Sequence, residues 1–587
     1  MNKTLLLGFC LLIAAFSLSA QSNYETELRP YIEKQMKKRN IQGLSIALVD
    51  DQEVVWAEGF GYANVEQQQK ADENTIYRVG SISKIFTAMA IMQLVEDGKL
   101  DLDAPVSDYI PEFKPKSHFD TNIPITTRHL LTHQSGLPSD IMADFFMNGA
   151  KPFNEIVSLL NAEYLCEQPN TVWSYSNAAY SLLGTIVERV SEEDFFRYTR
   201  THLLDPMEMK QSHFGVLKEM EAAYSMGYIN KGEAYDEPAI RDVPAGMLHA
   251  SVADMGNFMK MLNARGAYGE EQILSSSALT KMLEEQPRPE LDYDRKMGLC
   301  FFLSDRTDYD FAGGFAGHGG DTRAYHAQFA WLPEQKLSVV ILTNSERGGS
   351  LAGPLRSKIL LEALKNLREL EREEKEEAEE DESPKIKVKP KADDFLAAQA
   401  GYYALGGYPV KFDYNKGRLS GKVQSINAEI VPNNQGSYNP RVKIGPFGLP
   451  QKNQFLAFDE VENQNVIKIF TTETEALFAV KVEPNPIPEV WAESYGSYLL
   501  VDKPDPDEAY NFMVKLNVSE QDGLILIKSV EHEGEGEPMS FGVNPISDDM
   551  ARVYGLGRNC GGTIFRYEKD GKRYIRVWGL EFEEMDD

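Results

Sequence analysis

Residues 369–382 carry ten acidic side chains against two basic ones, and residues 385–391 follow with four lysines, with Pro384 and Pro390 at the edges. A block of this kind has no apolar face to bury and repels itself, so it reads as a solvated linker, here residues 369–394. A docking tail for a partner is the alternative reading of the same composition. Either way, it divides the 587-residue chain into parts that must fold around separate cores. Apolar residues make up 42% and charged residues 26% of the whole, the ordinary globular balance. The net charge of −30 argues against a general nucleic-acid binder, which needs a basic face for phosphates. It reads instead as a solubility feature of an exported protein.

Export is the expectation from the first twenty residues. Lys3 precedes an apolar run over residues 5–18, and Ser19 and Ala20 supply the small residues of a signal-peptide cleavage site. The run is marginally short for a bilayer, although an uncleaved anchor is the competing reading. After cleavage no stable membrane span is expected, and the location is periplasmic or secreted. Removal of Cys10 leaves Cys166, Cys300 and Cys560. That odd, widely spaced set implies no obligatory disulfide framework, though one pair could form.

Between the signal peptide and the linker, residues 21–368 read as one domain. A helix over residues 25–39 leads into a hairpin with strands at 44–49 and 53–57. From Ser81 to Glu96, Ile82, Ile85, Met89 and Met92 recur at helical spacing, with Gly98 as the stop. Residues 100–300 are helix-rich. Strands return at 325–332 and 337–343, and Pro354 opens a last helix. Beyond the linker, short β runs alternate with turn residues, and Lys569-Asp570-Gly571 marks a hairpin. Gly401-Tyr402-Tyr403 is echoed by Gly496-Ser497-Tyr498, and Val410–Asp413 loosely by Val514–Asn517. Two barrel-like units result, residues 395–488 and 489–587, each long enough for about eight short strands. Their expected role is to stiffen or shade the site.

Three short motifs carry the chemistry. In Ser81-Ile82-Ser83-Lys84 the hydroxyl and the amine lie three apart on one helix face. A serine needs a base to become a nucleophile, and a lysine held neutral can share that work. Tyr175-Ser176-Asn177 offers a phenol, which needs a nearby cation to act as a base, and an amide that can both donate and accept. His318-Gly319-Gly320 precedes a strand, and its glycines let a substrate approach the backbone. Singly, each is an ordinary cap or turn.

Together and in this order they resemble the β-lactamase-related serine hydrolases, among them class C β-lactamases, penicillin-binding proteins, esterases and D-aminopeptidases. The stretch Arg128-His129-Leu130-Leu131-Thr132-His133-Gln134-Ser135-Gly136-Leu137 and Ala245-Gly246-Met247-Leu248 extend the likeness, which covers roughly residues 25–365. The resemblance implies an α/β (α+β) catalytic domain, with an antiparallel sheet flanked by helices beside a helical region, followed by two small all-β barrel-like domains of lipocalin-like plan. It implies Ser81 as the acylated nucleophile, Lys84 as its proton acceptor or relay, and Tyr175 as general base or acid. Asn177 would orient the substrate amide, His318 with Gly319 and Gly320 would meet the substrate, and the backbone N–H groups of Ser81 and Asp321 would form the oxyanion hole. No cofactor and no metal is implied. His129 and His133 have metal-binding spacing, but the glutamate of the zinc protease motif is missing.

His318 stands where a true lactamase has lysine, and a neutral imidazole anchors a carboxylate poorly. The leading expectation is therefore cleavage of a small-molecule or peptide substrate by a D-aminopeptidase- or peptidase-like enzyme, without nucleic-acid partners. The alternatives are a carboxylesterase or weak β-lactamase on the same site, and a non-catalytic protein that binds a peptide or cell-wall fragment.

Overall fold

The computed structural model describes residues 23–371 and 393–585, apart from 121–122, 146–151, 218–219, 221–222, 290, 292–294, 305–308, 416–417, 424–425, 433–437, 445–446, 451–453, 462–463, 472–476, 502–512 and 531–539. The expected signal peptide and most of the charged linker lie outside the described residues.

The run Gly43–Asp50 is apolar at nearly every position and buried along almost its whole length, as a strand covered on both faces must be. It forms a hairpin with Glu53–Asn64 and pairs on its other edge with Leu337–Thr343, matching Leu44 to Thr343, Ile46 to Ile341 and Leu48 to Val339. The sheet continues through His326–Leu332 to Ala316–Asp321 on one side and to Gln69–Lys70 on the other. Both ends of the catalytic domain thus meet in mid-sheet.

Strand periodicity sorts the two faces. Ile46 and Leu48 pack with Leu28 and Ile32 of the first helix, Asn23–Arg39, and with Leu355 and Ile359 of the last, Gly349–Arg368. Ala47 and Val49 belong to the other core, with Met255, Phe258 and Met259 of helix Val252–Asn263. The last helix starts at Gly349, not at Pro354 as the sequence pattern has it. Leu351 and Ala352 are fully buried, and that packing carries the helix through a proline that removes one backbone bond.

The nucleophile segment also differs in detail. A 3-10 turn, Gly80–Ile82, precedes the α-helix Ser83–Glu96. That helix is buried on almost every side rather than along a single stripe. It packs beside Asn177–Ser191 within the helical region.

Beyond the linker, nine strands form one sheet from Gly401–Leu405 to Leu477–Val482. Tyr438–Ile444 pairs with Ile426–Pro432, and through Tyr438 and Leu456 with Gln454–Val461, which brings the sheet round on itself. Eight further strands, Gly496–Leu500 to Leu580–Glu584, make a closed barrel. Its interior is a packed cluster that includes Trp491, Tyr498, Ile527 and Phe582.

The tyrosine repeat has a structural basis. Tyr403 and Tyr498 are both fully buried, and each donates to the carbonyl four residues earlier, Gln399 O at 3.0 Å and Ser494 O at 2.8 Å. Asp570 and Gly571, both left-handed, make the expected two-residue turn between paired Lys569 and Lys572.

Among the described residues no helix is long and apolar enough to cross a membrane. Trp331, fully buried, donates from Nε1 to Asn263 Oδ1 at 2.9 Å. Trp331→Ala is expected to destabilise the catalytic domain by about 3–5 kcal/mol, read as a lower denaturant midpoint.

Candidate active site

The 3-10 turn places Ser81 at the mouth of the nucleophile helix, and Lys84 follows one turn later. Lys84 is fully buried. Its Nζ lies 2.9 Å from Ser81 Oγ, 2.7 Å from Asn177 Oδ1 and 2.7 Å from the Ala245 carbonyl oxygen. All three partners are uncharged. Burial therefore dominates and pulls the Lys84 amine down to about 7. In the neutral amine, the two carbonyl oxygens accept its two hydrogens. The lone pair is left to face Ser81 Oγ, where it can accept the hydroxyl proton.

Tyr175 completes the group. Its hydroxyl is hydrogen-bonded to Ser81, and its ring centroid lies 5.0 Å from Lys84 Nζ. Burial raises the phenol above its usual value, against the lowering effects of Ser81 and Arg558. Tyr175 thus keeps its proton at neutral pH, while Lys84 is readily neutralised there. The structure brings Ser81, Lys84, Tyr175 and Asn177 together. Asn177 is more committed than the sequence reading supposes: its Oδ1 receives Lys84, and its Nδ2 donates to Asp140 Oδ1 at 2.7 Å.

The backbone half of the site comes from the sheet edge. An added Cβ on Gly320 would lie 2.0 Å from the Val79 carbonyl oxygen and 3.0 Å from Ser81 N. Only glycine lets strand Ala316–Asp321 approach the nucleophile turn so closely. This contact sets the Asp321 backbone beside Ser81, whose N–H opens the 3-10 turn.

His318 lies on the same strand, 4% exposed. Burial, then the nearby Lys84, pull its imidazole down to about 4, so it is neutral at pH 7. Its Nδ1 contacts the Gly319 carbonyl oxygen at 2.5 Å. A carbonyl only accepts, so Nδ1 carries the proton and Nε2 is an acceptor. Nε2 is buried and has no hydrogen-bond partner among the described residues. His318 thus carries a lone pair rather than a positive charge, and it lies beside Tyr175, with ring centroids 6.3 Å apart, not among the residues that line the cavity at Ser81.

The paired histidines have other work. His129 Nδ1 accepts from Thr126 N at 3.3 Å in a capping box. The His133 ring packs tilted against that of Tyr175, with centroids 4.2 Å apart, and accepts from Ser176 N at 3.2 Å, so it fixes the Tyr-x-Asn turn. Among the described residues no group of three His, Cys, Asp or Glu side chains could hold a metal. Cys300 is buried, and its thiol is pushed up to about 12 by burial. Asp140, His133 and the Ala245 carbonyl were not singled out from sequence for their roles. They act through contacts between distant segments, although His133 and Ala245 fall within the recognised family stretches.

Ser81, Asn177 and Asp321 line a cavity of about 290 Å3 with Arg78, Asp140, Glu237, Thr322 and Arg558. A family model described as Beta-lactamase matches residues 28–363, more than half of the chain. The chain belongs to the β-lactamase family. It is 30% identical over 241 residues to the protein named flp of Staphylococcus aureus (strain MW2), covering 40% of this chain and 48% of that one. It is 32% identical over 235 residues to a protein named as penicillin-binding protein PbpX of Bacillus subtilis (strain 168), covering 39% and 57%. The chain thus spans about half the length of these curated relatives.

Among solved structures, the octameric penicillin-binding protein homologue from Pyrococcus abyssi matches with a TM-score of 0.51 and 25% identity, over 78% of this chain and 99% of that one. SurE matches with a TM-score of 0.57 and 20% identity, over 77% and 98%, a likeness of fold.

Two outcomes follow from the geometry. Gly320→Ala forces the strand edge off the nucleophile turn and is expected to lower kcat by about 100- to 1,000-fold, with the folded state retained by circular dichroism. Because only neutral Lys84 can take the Ser81 proton, kcat/KM is expected to rise with pH through about 7, and a pH–rate profile checks this.

Proposed function

We propose that this protein is an exported serine hydrolase that cleaves an amide or ester bond of a small peptide-like substrate through an acyl-Ser81 intermediate. The observation that carries this reading is the 2.9 Å contact between Ser81 Oγ and a buried, readily neutralised Lys84. In the acylation step, Lys84 Nζ takes the hydroxyl proton and Oγ attacks the substrate carbonyl. The carbonyl oxygen becomes an oxyanion facing the backbone N–H groups of Ser81 and Asp321. The C–N or C–O bond then breaks, and the leaving group takes the Tyr175 hydroxyl proton, which the Lys84 ammonium restores. Water attacks the acyl group in the reverse sense and frees Ser81.

A peptidase of the D-aminopeptidase kind fits this site better than a lactamase. The motif His318-Gly319-Gly320 resembles that branch, and a neutral His318 provides no cation at the position where a lactamase lysine meets the carboxylate of a β-lactam. The composition of residues 1–20 supports export to the periplasm or beyond, and N-terminal sequencing of the mature protein after Ala20 tests it.

A serine-directed phosphonate is expected to label Ser81, located by mass spectrometry, and Ser81→Ala is expected to lose labelling and turnover. Full activity in Ser81→Ala would sink the proposal. Nitrocefin hydrolysis is expected to fall well below the usual enzyme range of kcat/KM, about 10⁴ M⁻¹s⁻¹ upward. A panel of D- and L-aminoacyl anilides against 4-nitrophenyl esters separates peptidase from esterase.

A further inference from the structure

We infer that the C-terminal barrel supplies part of the substrate site, with the Arg558 guanidinium receiving a carboxylate of the substrate in the cavity that opens on Ser81. This rests on the acyl-Ser81 reading above and adds to it the charge of the substrate.

Arg558 belongs to the loop between strands Met550–Val553 and Thr563–Lys569 of the closed barrel. That loop is seated on the catalytic domain. Asn559 N donates to Ser139 Oγ at 3.2 Å, and Arg552 Nη2 pairs with the buried Glu167 Oε2 at 3.1 Å. An added Cβ at Gly561 would lie 2.4 Å from the Cys166 carbonyl oxygen, so the approach depends on glycine at this position. Arg558, the neighbour of Asn559 in this loop, is carried into the cavity. The Arg558 guanidinium carbon stands 5.2 Å from the Tyr175 ring centroid, and Arg558 lines the same cavity as Ser81 and Asn177.

The charges around this cavity are otherwise engaged. Arg78 faces Glu237 at 3.5 Å, both side chains buried, and donates to the Pro238 carbonyl at 2.8 Å. Glu237 also accepts from Thr322 Oγ1 and from the backbone of Arg323 and Ala324. Asp321 pairs with His326 at 2.6 Å. Lys84 is held by three oxygens, and His318 is neutral. Arg558 differs: its ion pair with Asp140 Oδ2 spans 3.7 Å, too long for a hydrogen bond, and its side chain is 53% exposed. A guanidinium presents five N–H donors in a fork that matches a carboxylate. The family's usual cation at the third motif is missing here, and this arginine, brought in from another domain, supplies a positive charge within reach of the acyl centre.

The test uses the full chain and two matched ester pairs. One pair carries the charge on the acyl side, 4-nitrophenyl hydrogen succinate against 4-nitrophenyl butanoate. The other carries it on the leaving side, 3-carboxyphenyl acetate against phenyl acetate. The quantity read is the ratio of kcat/KM, anionic over neutral, within each pair. Because both substrates of a pair meet the same protein, changes in Lys84 titration or in folding cancel from that ratio.

Arg558→Gln is expected to lower the ratio ~10- to 100-fold in one pair, the range for a lost charge-assisted hydrogen bond, and Arg558→Lys to restore part of it. The acyl or leaving position of the carboxylate follows from which pair responds. Arg576→Ala removes a contact at the same domain interface, 3.2 Å from Glu163, and is expected to leave both ratios within twofold of wild type. Ratios in Arg558→Gln unchanged in both pairs, with Ser81 still labelled by phosphonate, would overturn this inference alone. Failure of Ser81 to label or turn over any ester would overturn the acyl-enzyme reading and this one with it.

Discussion

The site depends on burying one amine among neutral acceptors. Lys84 meets a hydroxyl, a side-chain amide and a backbone carbonyl. A carboxylate in that shell would hold the ammonium charged and remove the base. With two carbonyls accepting its hydrogens, the neutral amine has a single direction left for its lone pair. The placement of Asn177 and Ala245 therefore determines what Lys84 can do to Ser81. Asp140 acts one step further out, since its bond to Asn177 Nδ2 fixes which amide atom faces Lys84.

That arrangement requires segments from across the chain, and the sheet delivers them. Strand Gly43–Asp50 pairs with Leu337–Thr343, so the domain cannot close until its two ends meet. The same sheet presents Gly320 and Asp321 to the nucleophile turn. A slip of one residue in strand Ala316–Asp321 would turn His318 away from the site, because facing alternates along a strand, and in one direction it would put Asp321 where Gly320 meets Val79. The dense apolar pairing of Ile46 with Ile341 and Leu48 with Val339 guards against the corresponding slip at the centre of the sheet.

The catalytic group was legible because its signal is local. Ser81 and Lys84 are three residues apart in a helical pattern, and the Tyr-x-Asn and His-Gly-Gly elements each sit within a few residues. The strands at 44–49 and 337–343 were legible from apolar runs, and the two tyrosines of the repeat from their shared sequence. Pro354 misled because tertiary burial of Leu351 and Ala352 outweighed the loss of one helical bond. The full commitment of Asn177 was hidden, since Asp140 lies 37 residues away in a loop with no pattern of its own. His133 reads as a residue of a known stretch, but its ring contact with Tyr175 is a consequence of the fold.

Arg558 was the least legible residue, and the reason is physical. Nothing in the sequence Gly555-Leu556-Gly557-Arg558-Asn559 says which surface its loop will meet. The contact arises only when a packed barrel docks on the catalytic domain through Arg552 and Asn559. A barrel whose interior is filled with Trp491, Tyr498 and Phe582 is well suited to this task. It holds its outer loop in a fixed position, as a looser unit would not. Domain docking then places at the mouth of the site a positive charge that the strand carrying His318 does not supply, while the three direct partners of Lys84 stay uncharged.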